Sequence, residues 1–154
     1  MSRRLDDLCP LLRPQAFELV ARLTEQGHHV VVFDTLRNAA EQAVLLARGV
    51  SRTMNSRHLP QTGCGVCGNT INSDGMHGLS HAIDLVPIET YERDGGTGTK
   101  LSWDWKHPAF PAIGANAKRL GLVWGGDWPT LRDGAHVQLP GGAERITTPQ
   151  GVTA

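Results

Sequence analysis

The apolar positions of this chain change period several times, and each change predicts an element. Across residues 14–26, Phe17, Leu19, Val20 and Leu23 recur at helical intervals, and Gly27 stands where a helix stops. His29-Val30-Val31-Val32-Phe33-Asp34-Thr35 is a short β-branched run that predicts a buried strand, with Arg37 directly after it. Asn38 can cap a second helix with Glu41 as its capping-box partner, and Ala40, Val44, Leu45 and Ala47 give that helix an apolar stripe ending at Gly49.

Periodicity then lapses. Residues 60–79 are rich in Gly, Asn, Ser and Thr and read as an inserted loop, of a length that is uncommon in a compact domain and often functional. Residues 82–86 resume as an apolar strand interrupted only by Asp84 and closed by Pro87, and residues 91–99 read as a second, flexible excursion. Phe110, Ile113, Ala117 and Leu120 predict a third helix that stops at Gly121. Residues 135–139 form a last strand bearing His136, and nothing in residues 141–154 would hold a tail in place. The order implies one α+β domain over residues 1–154, a small and mainly antiparallel sheet with helices packed on it and the candidate site on the sheet.

Composition narrows the function. Fifteen basic and fifteen acidic residues leave no net charge, so neither a nucleic-acid footprint nor a basic face for an anionic membrane is expected. The polar start, Met1-Ser2-Arg3-Arg4-Leu5-Asp6-Asp7, is not followed by an apolar run of signal or membrane-spanning length, which places the expected site of synthesis and first residence in the cytoplasm. The cysteine count is odd, and Cys9 is distant in sequence from Cys64 and Cys67, so a disulfide framework is not expected. Cys64-Gly65-Val66-Cys67 could be half of a zinc site or a redox pair, with His58 and His77 flanking it. No second CxxC follows, and reduced loop thiols are the expectation.

The chemistry concentrates elsewhere. A catalytic zinc takes three ligands of the His and Asp/Glu kind, leaves one position for water and needs a carboxylate nearby to accept that water's proton. His58, Asp84 and His136, with Asp133 as base, supply such a set. Asp84 is the firmest anchor, because an unpaired charge among apolar strand residues costs several kcal/mol in order of magnitude; a metal removes that cost, and so would a salt bridge to Arg37. Asp133 and His136, three apart around Gly134-Ala135, could meet at one point, or could be a surface turn carboxylate and a strand histidine.

Ser56-Arg57-His58, Ala82-Ile83-Asp84, Asp133-Gly134-Ala135-His136, Trp124-Gly125-Gly126-Asp127-Trp128 and Thr35-Leu36-Arg37-Asn38 with Glu41-Gln42 stand in the order of five motifs. In them the chain resembles the M15 zinc peptidases, the family of D-Ala-D-Ala carboxypeptidases and L-alanoyl-D-glutamate endopeptidases, and most of all its compact phage endolysins. The family's Ser-x-His-x-x-Gly-x-Ala-x-Asp puts its His seven positions before its Asp. Here His58 precedes Asp84 by 26, as if about nineteen residues were inserted, while His77 precedes it by seven with Gly75 in the serine's place. The flank Met54-Asn55-Ser56-Arg57-His58-Leu59 favours His58, facing Asp84 across a ladder with the insertion as a hairpin tip; His77 is its competitor, and with His58 as ligand His77 and His81 would lie behind the ligands or at the rim.

The resemblance implies a zinc-dependent peptidoglycan hydrolase that cuts between L-Ala and D-Glu of the stem peptide. Zinc would lie on His58, Asp84 and His136, Asp133 would be the general base, and Arg37 would stabilise an oxyanion or hold a substrate carboxylate. Trp124 and Trp128 could line the cleft or fill the core. It further implies a monomer whose partner is bacterial peptidoglycan, resident in the host cytoplasm until the membrane is permeabilised. The rival readings are D,D-carboxypeptidase or D-Ala-D-Ala dipeptidase action on the same fold, and a wall-binding module without catalysis.

Overall fold

The structure is a computed structural model that describes residues 1–62 and 64–141. Apart from Gly141, the tail expected over residues 141–154 lies outside the described residues. Among the described residues three α-helices, α1 (Arg13–Glu25), α2 (Ala39–Ala47) and α3 (Ala109–Arg119), accompany five strands: β1 (Val30–Asp34), β2 (Ala82–Arg93), β3 (Gly96–Leu101), β4 (Val123–Trp124) and β5 (His136–Gln138). The sheet runs β1-β2-β5-β4, with β3 also on β2, and all its pairings are antiparallel. The expected α+β class is the observed one.

The core forms where α1 and α3 pack against one face of the sheet. Leu19 and Leu23 of α1 and Phe110, Ile113 and Ala117 of α3 join Ile83 and Leu85 of β2 and Val137 of β5 in one buried cluster. Side chains alternate along a strand, so Asp84, between Ile83 and Leu85, and His136, before Val137, face the other way. The sheet thus separates the core from the polar residues of interest.

Three expectations need correction. β1 is only partly buried, not a buried strand, because it lies at the end of the sheet's strand order. α2 has its capping box, with Asn38 and Glu41 each bonding the other's backbone N–H, but its apolar stripe does not face a core. Val44 is exposed and Gln42 is the residue buried on that helix, its amide donating to Ser51 Oγ at 2.8 Å and to the Thr53 carbonyl at 2.6 Å. Residues 91–99 are a hairpin and no loose excursion: Arg93 pairs with Gly96 around Asp94-Gly95, where the φ of +83° at Gly95 supplies the tight turn.

Candidate metal centre

Three of the singled-out side chains converge. Asp84 and His136 are direct cross-strand partners on β2 and β5, and Asp34 of β1 is opposite Asp84 on the other side after a register shift between Val32 and Asp34. His58 arrives from a loop rather than from a ladder strand. Its carbonyl accepts from the Arg37 N–H at 2.9 Å, and its Nδ1 donates to the Thr35 carbonyl at 2.7 Å, so the end of β1 and the start of α2 fix the ring.

His58 Nε2 lies 3.0 Å from Asp84 Oδ1 and 3.2 Å from His136 Nδ1, which is 3.1 Å from the same carboxylate oxygen. All three residues are buried. The tautomers follow from the outer partners. The Thr35 carbonyl can only accept, so His58 carries its proton on Nδ1; Gln138 Oε1, 2.8 Å from His136 Nε2, likewise places that proton on Nε2. With both rings neutral, as metal binding requires, two imidazole lone pairs and a carboxylate oxygen point at one spot. This donor set suits zinc, whose bonds of about 2.0–2.1 Å to such ligands call for donors a little over 3 Å apart.

Asp84 uses its other oxygen on Arg37, whose Nη2 donates to Oδ2 at 3.3 Å. Arg37 also bonds the buried Asp34 carboxylate through Nε and donates from Nη1 to Gln42 Oε1 at 3.0 Å. Metal-type cluster and salt bridge thus coexist on Asp84. Burial would raise the Asp84 pKa, but the charges and hydrogen bonds of His58 and His136 hold it well below the usual carboxylate range. Burial raises Asp34 in spite of Arg37.

Asp133 lines the same cleft, of about 700 Å³, together with Arg37, His58, Asp84, Trp128 and His136. Its Oδ1 accepts from the Ala135 N–H at 3.2 Å, and its pKa is raised by burial and then by the charge of Asp84. The Trp-Gly-Gly-Asp-Trp turn places it. Gly125 accepts from the N–H of Asp133 at 3.0 Å and from that of Trp128 at 3.2 Å, and Trp124 Nε1 donates to the Gly134 carbonyl at 2.8 Å. A Cβ on Gly125 would stand 2.6 Å from the Asp133 carbonyl oxygen, so only glycine fits. Trp128 contacts the His136 ring at a centroid distance of 5.1 Å, whereas Trp124 packs on Gly114 and Gly126 at the edge of the core.

The competing histidine lies elsewhere. His77 is bridged to Ile71 within the inserted loop and takes no part in the cluster, and His81 is buried against Cys67 rather than at the rim. The sequence reading passed over Asp34, Gln42 and Gln138. Asp34 carried the same signal as Asp84, a carboxylate in an apolar run; Gln138, two residues from His136 on one strand face, carried a weaker one.

The chain has recognisable relatives. A protein-family model described as D-alanyl-D-alanine carboxypeptidase, of the M15 peptidases, matches residues 69–139. The L-alanyl-D-glutamate peptidase of Listeria phage A118 is 28% identical over 114 residues, 73% of this chain but 31% of the relative. The peptidoglycan L-alanyl-D-glutamate endopeptidase CwlK of Bacillus subtilis is 26% identical over 140 residues, 86% of this chain and 74% of the relative. The chain thus spans about a third of the first and about three quarters of the second. The crystal structure of the Serratia marcescens L-Ala D-Glu endopeptidase ChiX superposes with a TM-score of 0.49 at 29% identity, over 88% of this chain and 83% of that one.

Proposed function

The chain carries a peptidase domain of the M15 family, and on that premise we propose that it is a zinc-dependent peptidoglycan hydrolase cutting the stem peptide between L-Ala and D-Glu. The observation that carries this reading is the convergence of His58 Nε2, Asp84 Oδ1 and His136 Nδ1 in a cleft that Asp133 also lines. Both curated relatives are named for that bond.

Zinc held by His58, Asp84 and His136 would supply a water of lowered pKa and polarise the scissile carbonyl. Asp133 accepts the proton of the attacking water and returns it to the leaving amine, its carboxyl raised from the ordinary value by burial first of all. Arg37 keeps Asp84 oriented, and the guanidinium N–H groups not used on Asp34, Gln42 and Asp84 are offered to a substrate carboxylate or oxyanion. The bond pattern of His58 and His136 with Thr35 and Gln138 keeps both rings in the tautomer that a metal needs.

In this reading the protein acts as a monomeric endolysin, with peptidoglycan as its partner and neither nucleic acid nor membrane required. It waits in the host cytoplasm and reaches the wall once the membrane is permeabilised. The phage relative supports that setting, and among the described residues no helix is long and apolar enough to cross a membrane.

A second reading rests on the description of the matching family model, which favours release of terminal D-Ala. Digestion of purified peptidoglycan by the zinc-loaded protein separates the two. New amino-terminal D-Glu supports the endopeptidase, and free D-Ala without it would overturn that assignment.

A further inference from the structure

Cys64 and Cys67 of the inserted loop do not stand alone in the fold. Cys9, just ahead of α1, and His81, at the root of β2, meet them at one point, and the four ligand atoms all lie within 4.8 Å of one another. Cys9 Sγ is 3.0 Å from Cys64 Sγ, Cys64 Sγ is 2.7 Å from Cys67 Sγ, and Cys67 Sγ is 3.0 Å from His81 Nε2. Cys9, Cys67 and His81 are buried, Cys64 is partly so, and all three cysteines are free thiols.

The donor chemistry is specific. Three sulfurs and one imidazole nitrogen, with no carboxylate among them, form the Cys₃His set of structural zinc sites, and such soft ligands disfavour magnesium or calcium. The Cys67 N–H donates to Cys64 Sγ at 3.2 Å, which helps hold that sulfur toward the other three donors. Four protein ligands leave no position for water, in contrast to the three at His58, Asp84 and His136.

The surrounding backbone is arranged for the same purpose. The Cys9 N–H donates to the Ser80 carbonyl at 2.8 Å and the Ser80 N–H to that of Asp7 at 2.9 Å, so the amino-terminal segment is already docked where the inserted loop rejoins the sheet. That loop has little apolar material of its own to offset the entropy of ordering it; Leu79 and Cys67 are its buried contribution to the small cluster there, with Cys64 half-buried against them. We propose that Cys9, Cys64, Cys67 and His81 form a second, structural zinc site that ties the inserted loop to the amino-terminal segment and to the root of the strand bearing Asp84.

Metal analysis of the full-length protein, purified under reducing conditions with zinc present, tests this. The wild type should hold two zinc ions per chain, and the C64S/C67S and H136A variants one each. Cobalt-loaded H136A should show the near-ultraviolet sulfur-to-cobalt charge-transfer band of a tetrahedral thiolate site. In the wild type, bound metal should shield the cysteines from alkylation until a chelator is added. These last measurements need no cysteine variant to fold. A single zinc ion in the wild type, a cobalt spectrum without the sulfur band, or a mass two hydrogens lower from a disulfide among these cysteines would each overturn the proposal.

Discussion

His58 Nδ1 donates to the carbonyl oxygen of Thr35 at 2.7 Å, which turns Nε2 of the same ring toward Asp84, 3.0 Å away. His77 has no such relationship to Asp84 and lies within the inserted loop. His58→Ala should therefore lose one metal ion per chain together with lytic activity, while His77→Ala should retain both. Metal content and turbidity loss of a cell-wall suspension measure this; loss of metal in His77→Ala alone would reverse the assignment.

Asp133 lines the cleft with His58, Asp84 and His136 and stands outside their cluster. Asp133→Ala should keep its full metal content but lose about 10²–10⁴-fold in kcat, the range for a positioned proton acceptor. Wild-type turnover in that variant would remove Asp133 from the mechanism.

What was legible in the sequence is what short-range pattern encodes. Helices α1 and α3, the strand around Asp84 and the Asn38–Glu41 capping box each declare themselves within a few residues. The stripe on α2 misled because apolar spacing says nothing of what a helix packs against, and Gln42 was overlooked because its value lies in reaching Arg37, Ser51 and Thr53. The meeting of Cys9 with Cys64, Cys67 and His81 depends on where the inserted loop rejoins the sheet, a tertiary fact with no local periodicity. Asp94-Gly95 was a hairpin signal lost among neighbouring glycines.

Arg37 lies between two carboxylates, bonded to Asp34 on β1 and Asp84 on β2, which are cross-strand neighbours. Arg37→Ala would leave like charges facing each other in a buried setting, and breaking a buried pair in this way costs about 3–5 kcal/mol. Arg37→Lys should recover only part, because one ammonium cannot serve the three acceptors that the guanidinium spans. Urea unfolding of the metal-free proteins measures it, and a loss below about 1 kcal/mol for the alanine variant would mean the pair is not structurally important.

Gly125 holds Asp133 and His136 together. A Cβ there would lie 2.6 Å from the Asp133 carbonyl oxygen, 3.1 Å from His136 Cβ and 3.2 Å from the Trp128 ring, and the first of these is backbone that cannot swing aside. Gly125→Ala should cost about 1–3 kcal/mol of stability by overpacking, yet reduce kcat by about 100-fold, because Asp133 and His136 shift together. An activity loss no larger than that produced by an equally destabilising core substitution on α1 would count against the positioning role.

With the proposed ligand set, protonation should compete with zinc at His136. Burial opposes charging of this imidazole, but the hydrogen bond and charge of Asp84 outweigh it, so the metal-free protein binds a proton there more readily than a free histidine does. Because the folded pKa is raised, the stability it lends the metal-free form is full below the unfolded value of about 6.5 and is lost as pH climbs through the folded one. Zinc must displace that proton, so affinity at this centre should weaken as pH falls through the raised pKa, by about tenfold per unit for each proton released. Chelator competition across the neutral range on the C64S/C67S variant, which isolates this centre, gives the slope. An affinity independent of pH there would show that no proton shares the site with the metal.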